Sequence, residues 1–275
     1  MEKAPGAKVF DLFLFMGQSN MAGRGITSEK WPQKAPVPDT EAGAEFRAVS
    51  DPSRLYPVRE PFGAQENRTP GINDGSMKTG SMVSAFVMEY AKETGVPVLG
   101  VSASKGGSSI AQWMPDAPDG FLPDALARLA ACEAYCAAGG LTLRHRFVLW
   151  CQGETDGDHG TPDDKYAAQF RTLLDTLLAH GIEHLFMVRI GRCNIPGSED
   201  RYDRLIALQD KIAADTPAVT MVSTCLAGMR PRGLMKDSFH YYQQAYNEAG
   251  EEVARNTAAY VMREMSKGAD VERKC

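Results

Sequence analysis

An α/β sandwich built on a mostly parallel sheet is the fold class this sequence predicts, and three observations carry the prediction. Short apolar runs recur at Val9–Met16, Val96–Ala103, Arg146–Cys151, His184–Ile190 and Ala218–Ser223. These runs are continuous rather than alternating, as expected of strands covered on both faces. Segments of helical period separate them, and such alternation closes as helices packed on both sides of one sheet.

The first run, VFDLFLFM, is interrupted by Asp11, has only Lys3 and Lys8 before it and lacks a small-residue cleavage site. It therefore reads as a buried strand rather than a signal peptide, and it is too short to span a bilayer. The expectation is a cytoplasmic chain without a membrane segment. The stretch of about 23–79 carries prolines at 32, 36, 38, 52, 57, 61 and 70 and little periodicity. Irregular stretches of this length in a compact domain are usually functional. This one leaves from the end of the first strand, the edge where α/β proteins place ligands; a surface excursion with no role is the rival reading.

Val83, Phe86, Val87, Tyr90 and Ala91 trace one helix face, and Gly95 supplies a stop. Tyr166, Phe170, Leu173, Leu174, Leu177 and Leu178 trace a second, ending at Gly181. A third helix is expected to begin at Ser198, with Glu199 and Asp200 suiting its dipole and Leu205, Leu208 and Ile212 facing inward. A last long helix is expected from about Tyr241 to Met265. The whole, residues 1–275, reads as a single domain on a five-stranded sheet.

Composition narrows the function. Hydrophobic residues make up 43% and charged residues 24% of 275, the balance of an ordinary globular domain. The formal net charge is −5 and no basic run occurs, which argues against nucleic acid. The six cysteines form no C-x-x-C pair and have no histidine at zinc spacing. Cys132 and Cys136 are four apart, so one helix face could offer two thiolates. With no second pair to match them, buried thiols in a reducing compartment are the better reading, and no metal or cofactor is expected.

Chemistry-bearing residues cluster after the first three strands, in Gly17–Gly23 (GQSNMAG), Ser104–Ser109 (SKGGSS) and Gln152–Asp156 (QGETD). A parallel sheet brings all three to its C-terminal edge. Ser19 follows a strand with a glycine two positions earlier, so the backbone can turn sharply and present the hydroxyl. Met21 stands where the second glycine of G-x-S-x-G belongs, and a lone serine in such a turn is more often a cap. Of the five histidines, His145 and His184 open strands and His180 ends a helix, while His240 follows Asp237 in D-S-F-H ahead of the last helix. That spacing lets the carboxylate accept the Nδ1 proton while Nε2 faces a serine; capping of the last helix by Asp237 or Ser238 is the rival. Gly106–Ser109 could cradle phosphate, although Lys105 precedes the glycines where a P-loop lysine follows them. Glu154 and Asp156 admit a two-carboxylate glycosidase reading, which leaves Ser19 and His240 unexplained.

In order and spacing, FMGQSNMAG, GGSSIAQW, WCQGETD and DSFH resemble the motif blocks of SGNH hydrolases. The branch they are most similar to holds sialate O-acetylesterases and the acetylxylan esterases of carbohydrate esterase family six. The resemblance implies a three-layer α/β/α, flavodoxin-like fold and metal-free serine ester hydrolysis. It implies Ser19 as nucleophile, His240 as base and Asp237 as its orienting acid. The oxyanion hole would be the N–H groups of Ser19 and Gly107 and the side chain of Gln152, with Gln18, Gly106 and Glu154 in support. The expected substrate is a small molecule or oligosaccharide bearing O-acetyl groups. Arg24, Lys105 and Trp113 are the candidate contacts, with Trp31 and Tyr56 as further stacking surfaces and Arg47 and Arg59 as further cations. Sialate O-acetylesterase activity is expected first; the alternatives are an acetylxylan esterase and a non-catalytic sugar-binding relative.

Overall fold

A computed structural model describes residues 8–272. Its sheet is ordered β3-β2-β4-β1-β5-β6-β7. The strands are β1 (Val9–Gly17), β2 (Gly43–Phe46), β3 (Leu55–Pro57), β4 (Val98–Ser104), β5 (Thr142–Cys151), β6 (His184–Val188) and β7 (Val219–Ser223). Only β3 runs antiparallel, on β2 at one edge. The helices are α1 (Ser19–Ala22), α2 (Val83–Thr94), α3 (Phe121–Ala138), α4 (Glu154–His159), α5 (Asp163–Ala179), α6 (Asp203–Asp215) and α7 (Gln243–Glu272).

All five expected strands form, and the sheet has seven because the 23–79 stretch adds β2 and β3. These two are four and three residues long, with Glu45 and Pro57 among them, so no apolar run announces them. Glu45 is nevertheless buried; burial raises its pKa, and its carboxylate accepts from Gly63 N–H and Arg47. The rest of the stretch is held the same way. Glu66 accepts the N–H groups of Val49 and Ser50, and Glu60 accepts from Ser81, so polar side chains replace the missing ladder.

The pleat of β1 divides the core. Phe10, Leu12, Leu14 and Met16 face one side, with α3, α5 and α6, whereas Phe13 and Phe15 face the other, with α2 and α7. Asp11 interrupts the run because it is a buried acceptor, taking Tyr90 Oη at 2.6 Å and the Arg144 guanidinium. Gly250 of α7 lies so close to α2 that a Cβ there would sit 2.3 Å from the Met82 carbonyl oxygen.

Helix α6 begins at Asp203, not Ser198, because 198–202 forms successive turns. Its inward face is Leu205, Gln209 and Ile212; Leu208 is only partly buried. Among the described residues, no helix is long and apolar enough to cross a membrane, and no group of three or more His, Cys, Asp or Glu could hold a metal ion.

Candidate active site

The central strand β1 ends at the crossover between neighbours β4 and β5, and there the chain turns out of the sheet. Gly17 has φ +133°, and a Cβ on it would lie 2.1 Å from Cys151 O, so only glycine fits. Gln18 N–H then donates to Cys151 O at 2.9 Å, and Lys105 N–H donates to Gly17 O at 2.9 Å. Backbone bonds thus join the ends of β1, β4 and β5 and bring the three polar segments to one cleft.

Ser19 opens α1 at that edge. Its Oγ lies 2.9 Å from His240 Nε2, across 221 positions of sequence. His240 Nδ1 meets both Asp237 oxygens, at 3.1 and 3.0 Å. Asp237 also accepts the N–H groups of Phe239 and His240, each at 2.8 Å. Although burial pushes the Asp237 carboxyl up, these hydrogen bonds and the imidazole outweigh it and hold the group well below the usual carboxylate range. Burial lowers the pKa of His240 despite the opposing pull of Asp237, so the ring is neutral and able to accept a proton around pH 7.

The cleft encloses about 410 Å³ and is lined by Arg24, Asp74, Lys105, Gly106, Gly107, Glu154, Thr155 and Asp158. Gln18, Ser19 and His240 also line it, with Phe239 and the exposed Met77. Asp74, from the 23–79 stretch, accepts Arg24 at 2.7 Å and the Gly106 N–H at 2.9 Å. The Gly106 donor is therefore occupied. Gly107 (φ +70°) has an N–H with no acceptor among the described residues, as has Ser19.

The structure does not bring Gln152 to this cleft. It is fully buried; its Nε2 donates to Ser108 O at 3.0 Å and to Asp156, and its Oε1 accepts from Tyr166 Oη at 3.1 Å. A side chain so committed has no hydrogen left for an oxyanion. Gln18 offers one instead. Its Oε1 accepts Gly153 N–H at 3.0 Å and Thr155 N–H at 3.3 Å, which fixes the amide's orientation. Its Nε2 has no acceptor among the described residues and keeps contact with solvent in the cleft.

Trp113 is not a sugar platform: it is fully buried, edge-on to Trp150, with Nε1 donating to Ser108 Oγ at 3.0 Å. Trp31 and Tyr56 lie outside the cleft, Trp31 bound to Gly233 O and Tyr56 covered by Arg47 and Arg54. Arg47 and Arg59 are likewise spent elsewhere, on Glu45 and on the Pro38 and Val58 carbonyls. Sequence reasoning missed Asp74, Met77, Asp158 and Phe239. An Asn-Asp-Gly turn at 73–75 was the one available hint that the long stretch folds back over the site.

A central strand that hands a serine to a histidine delivered just ahead of the last helix, on an α/β/α sandwich, makes this an SGNH-type carboxylic ester hydrolase. Comparison narrows the class. The family model described as carbohydrate esterase, sialic acid-specific acetylesterase, matches residues 9–259, and the chain belongs to that family. Solved structures share the fold. One is a protein of Arabidopsis thaliana, 19% identical at a TM-score of 0.67, over 93% of this chain and 98% of that one. NanS is 13% identical at 0.58, over 96% and 100%. A carbohydrate acetylesterase from Xanthomonas citri is 20% identical at 0.55, over 90% of this chain and 55% of the other. No curated protein gives a significant match.

Proposed function

We propose that the chain hydrolyses O-acetyl esters on a single acidic sugar of the sialate kind, with Ser19 as nucleophile, His240 as base and Asp237 orienting it. His240 takes the Ser19 proton as Oγ attacks the acetyl carbonyl, then returns it to the departing sugar oxygen. It next activates water to clear the acetyl-enzyme, steps that general-base catalysis typically speeds by about 10²–10⁴-fold. The developing oxyanion is received by the N–H groups of Ser19 and Gly107 and by Gln18 Nε2, which takes the place sequence reasoning gave to Gln152. The free thiols Cys132, Cys136, Cys151, Cys193 and Cys225 suit a reducing compartment.

The observation that carries the substrate reading is the charge of the cleft wall. Arg24 and Lys105 both lie against Asp74, at 2.7 and 3.9 Å, and Lys105 Nζ also donates to the Gly106 carbonyl at 2.8 Å, so this group carries two cations to one carboxylate. A sugar carboxylate fits that charge; a neutral xylo-oligosaccharide has no use for it. The volume suits a small molecule. A mass-spectrometric assay of acetate release should show faster turnover of O-acetylated sialic acids than of acetylated xylo-oligosaccharides. Lys105→Ala should raise KM about two- to fivefold for the acidic sugar alone, the worth of one exposed charge contact. Preference for the neutral oligosaccharide would instead support an acetylxylan esterase.

The two glutamines should part company. Gln18→Ala should lower kcat about 10²–10³-fold, the usual cost of an oxyanion donor, with a smaller loss of Tm because the Gly153 and Thr155 N–H groups lose their acceptor. Gln152→Ala should cost about 2–4 kcal/mol of stability, because Asp156 and the Ser108 carbonyl lose a buried donor. Equal kcat losses in the two, at equal Tm, would return the donor role to Gln152.

A further inference from the structure

Asn20, the residue after the nucleophile, is fully buried and joins four parts of the molecule. Its Nδ2 donates to Glu154 Oε1, at the start of α4, and to Phe239 O at 3.2 Å, in the loop between Asp237 and His240. Its Oδ1 accepts from Tyr246 Oη of α7 at 2.6 Å. The amide is therefore a tie between the turn carrying Ser19 and the loop carrying His240, and Glu154 is the charged anchor that fixes which way it faces.

Glu154 is an expensive anchor. It is buried, and its second oxygen, Oε2, is sealed from solvent without a hydrogen-bond partner. Among the described residues no ion pair reaches it: Arg24, Lys105 and His240 line the same cleft, and Arg201 pairs with Asp158 at 2.9 Å. The titratable groups that feel it are Asp156 and Asp158 on its own helix, Cys151 at the end of β5 and Tyr166 of α5. From the remaining elements come Tyr202 ahead of α6, Tyr241 just ahead of α7 and Tyr246 in its first turn. Every one of these is neutral or acidic. An unpaired buried carboxylate weakens a fold, and neither the serine–histidine relay nor the oxyanion donors use it.

We propose that Glu154 is a positioning residue: through Asn20 it holds the Ser19 turn against the His240 loop, and it grips more firmly when ionised than when protonated. The proposal rests on the esterase reading above. A hydrogen bond to a carboxylate is roughly twice as strong as one to a neutral acceptor, so the tie tightens as the proton leaves. Burial raises the Glu154 pKa to about 7, which puts that change in the middle of a pH 5 to 9 series.

The test is Glu154→Gln, near-isosteric and still able to accept from Asn20, beside wild type, Asn20→Ala and the double variant. Acetyl-ester kinetics are read from pH 5 to 9, with Tm for each protein. Wild-type kcat should rise in a second step near pH 7, above the step that belongs to His240. In Glu154→Gln that second step should vanish and kcat above pH 7 should fall about tenfold, with KM unchanged and Tm equal or higher. A merely structural glutamate would lower Tm instead. Asn20→Ala should lower kcat as well, and adding it to Glu154→Gln should cost little more, because the two act as one unit. The proposal is overturned by a Glu154→Gln profile that superimposes on wild type, by a loss confined to KM, or by additive losses in the double variant. Absence of esterase activity in wild type would strike the esterase reading itself, which keeps the two failures apart.

Discussion

Ser19→Ala lowers kcat on acetyl esters by about 10⁴-fold or more while the protein keeps its fold. The size follows from what the hydroxyl does. Without Oγ no acetyl-enzyme can form, and the imidazole 2.9 Å away has no nucleophile to activate. What survives is the cleft, the two backbone donors and a base that can act only on water, a combination that typically retains a small acceleration over solution. The fold should tolerate the change because Oγ bonds nothing except His240, and α1 is anchored by backbone bonds of Met21 and Ala22 to Gln18 O. Hydrolysis of p-nitrophenyl acetate with thermal melts of both proteins gives the answer, together with intact-mass detection of a 42-dalton acetyl adduct formed by wild type alone. Equal rates in the two proteins would remove Ser19 from the mechanism and, with it, the reading of the chain as a serine esterase.

The route from letters to fold was clearest where physics is local. The five core strands were legible because each is a predominantly apolar run, and α2 and α5 because their apolar stripes end at glycines suited to left-handed caps. What escaped was set by tertiary context. Helix α3, left unmarked, is alanine-rich and buries Arg128, whose guanidinium binds Asp124, Ser102 O and Ile72 O, so its inner face does not read as apolar. The strands β2 and β3 exist because neighbours complete them, not because their sequence demands it.

The site divides the same way. Ser19, Asp237 and His240 could be paired only through the resemblance of their motif blocks to SGNH hydrolases, because a cap and a turn residue read the same in the letters. Which amide points into the cleft could not. Gln18 and Gln152 are both buried glutamines beside glycines, and their roles are told apart only by which atoms their partners occupy. Likewise, the separation of Gly106 from Gly107 depends on Asp74, more than thirty positions away in a stretch without periodicity. The irregular stretch is thus not a decoration on the sandwich: it supplies the carboxylate that occupies one glycine N–H and leaves the next free.

His240→Ala should cost about 10³–10⁴-fold in kcat, and its signature should be a changed pH profile as much as a lost rate. In wild type the ring must be neutral to accept the Ser19 proton, so activity rises as His240 deprotonates. Burial lowers its pKa below the ordinary 6.5, with Asp237 pulling the other way and Lys236 and Arg24 adding to the depression. The midpoint of the acid limb therefore falls below pH 6.5, and the enzyme stays active in mildly acidic solution where a free imidazole would already be protonated. Asp237 remains ionised throughout that range, because its hydrogen bonds from Phe239, His240 and the ring outweigh its burial. In the alanine variant the limb below 6.5 should disappear, leaving a low rate that climbs with hydroxide. Measured kcat/KM between pH 4.5 and 8 decides the matter. If the acid limb persists unchanged in His240→Ala, some other group is the base and the 2.9 Å contact with Ser19 is structural.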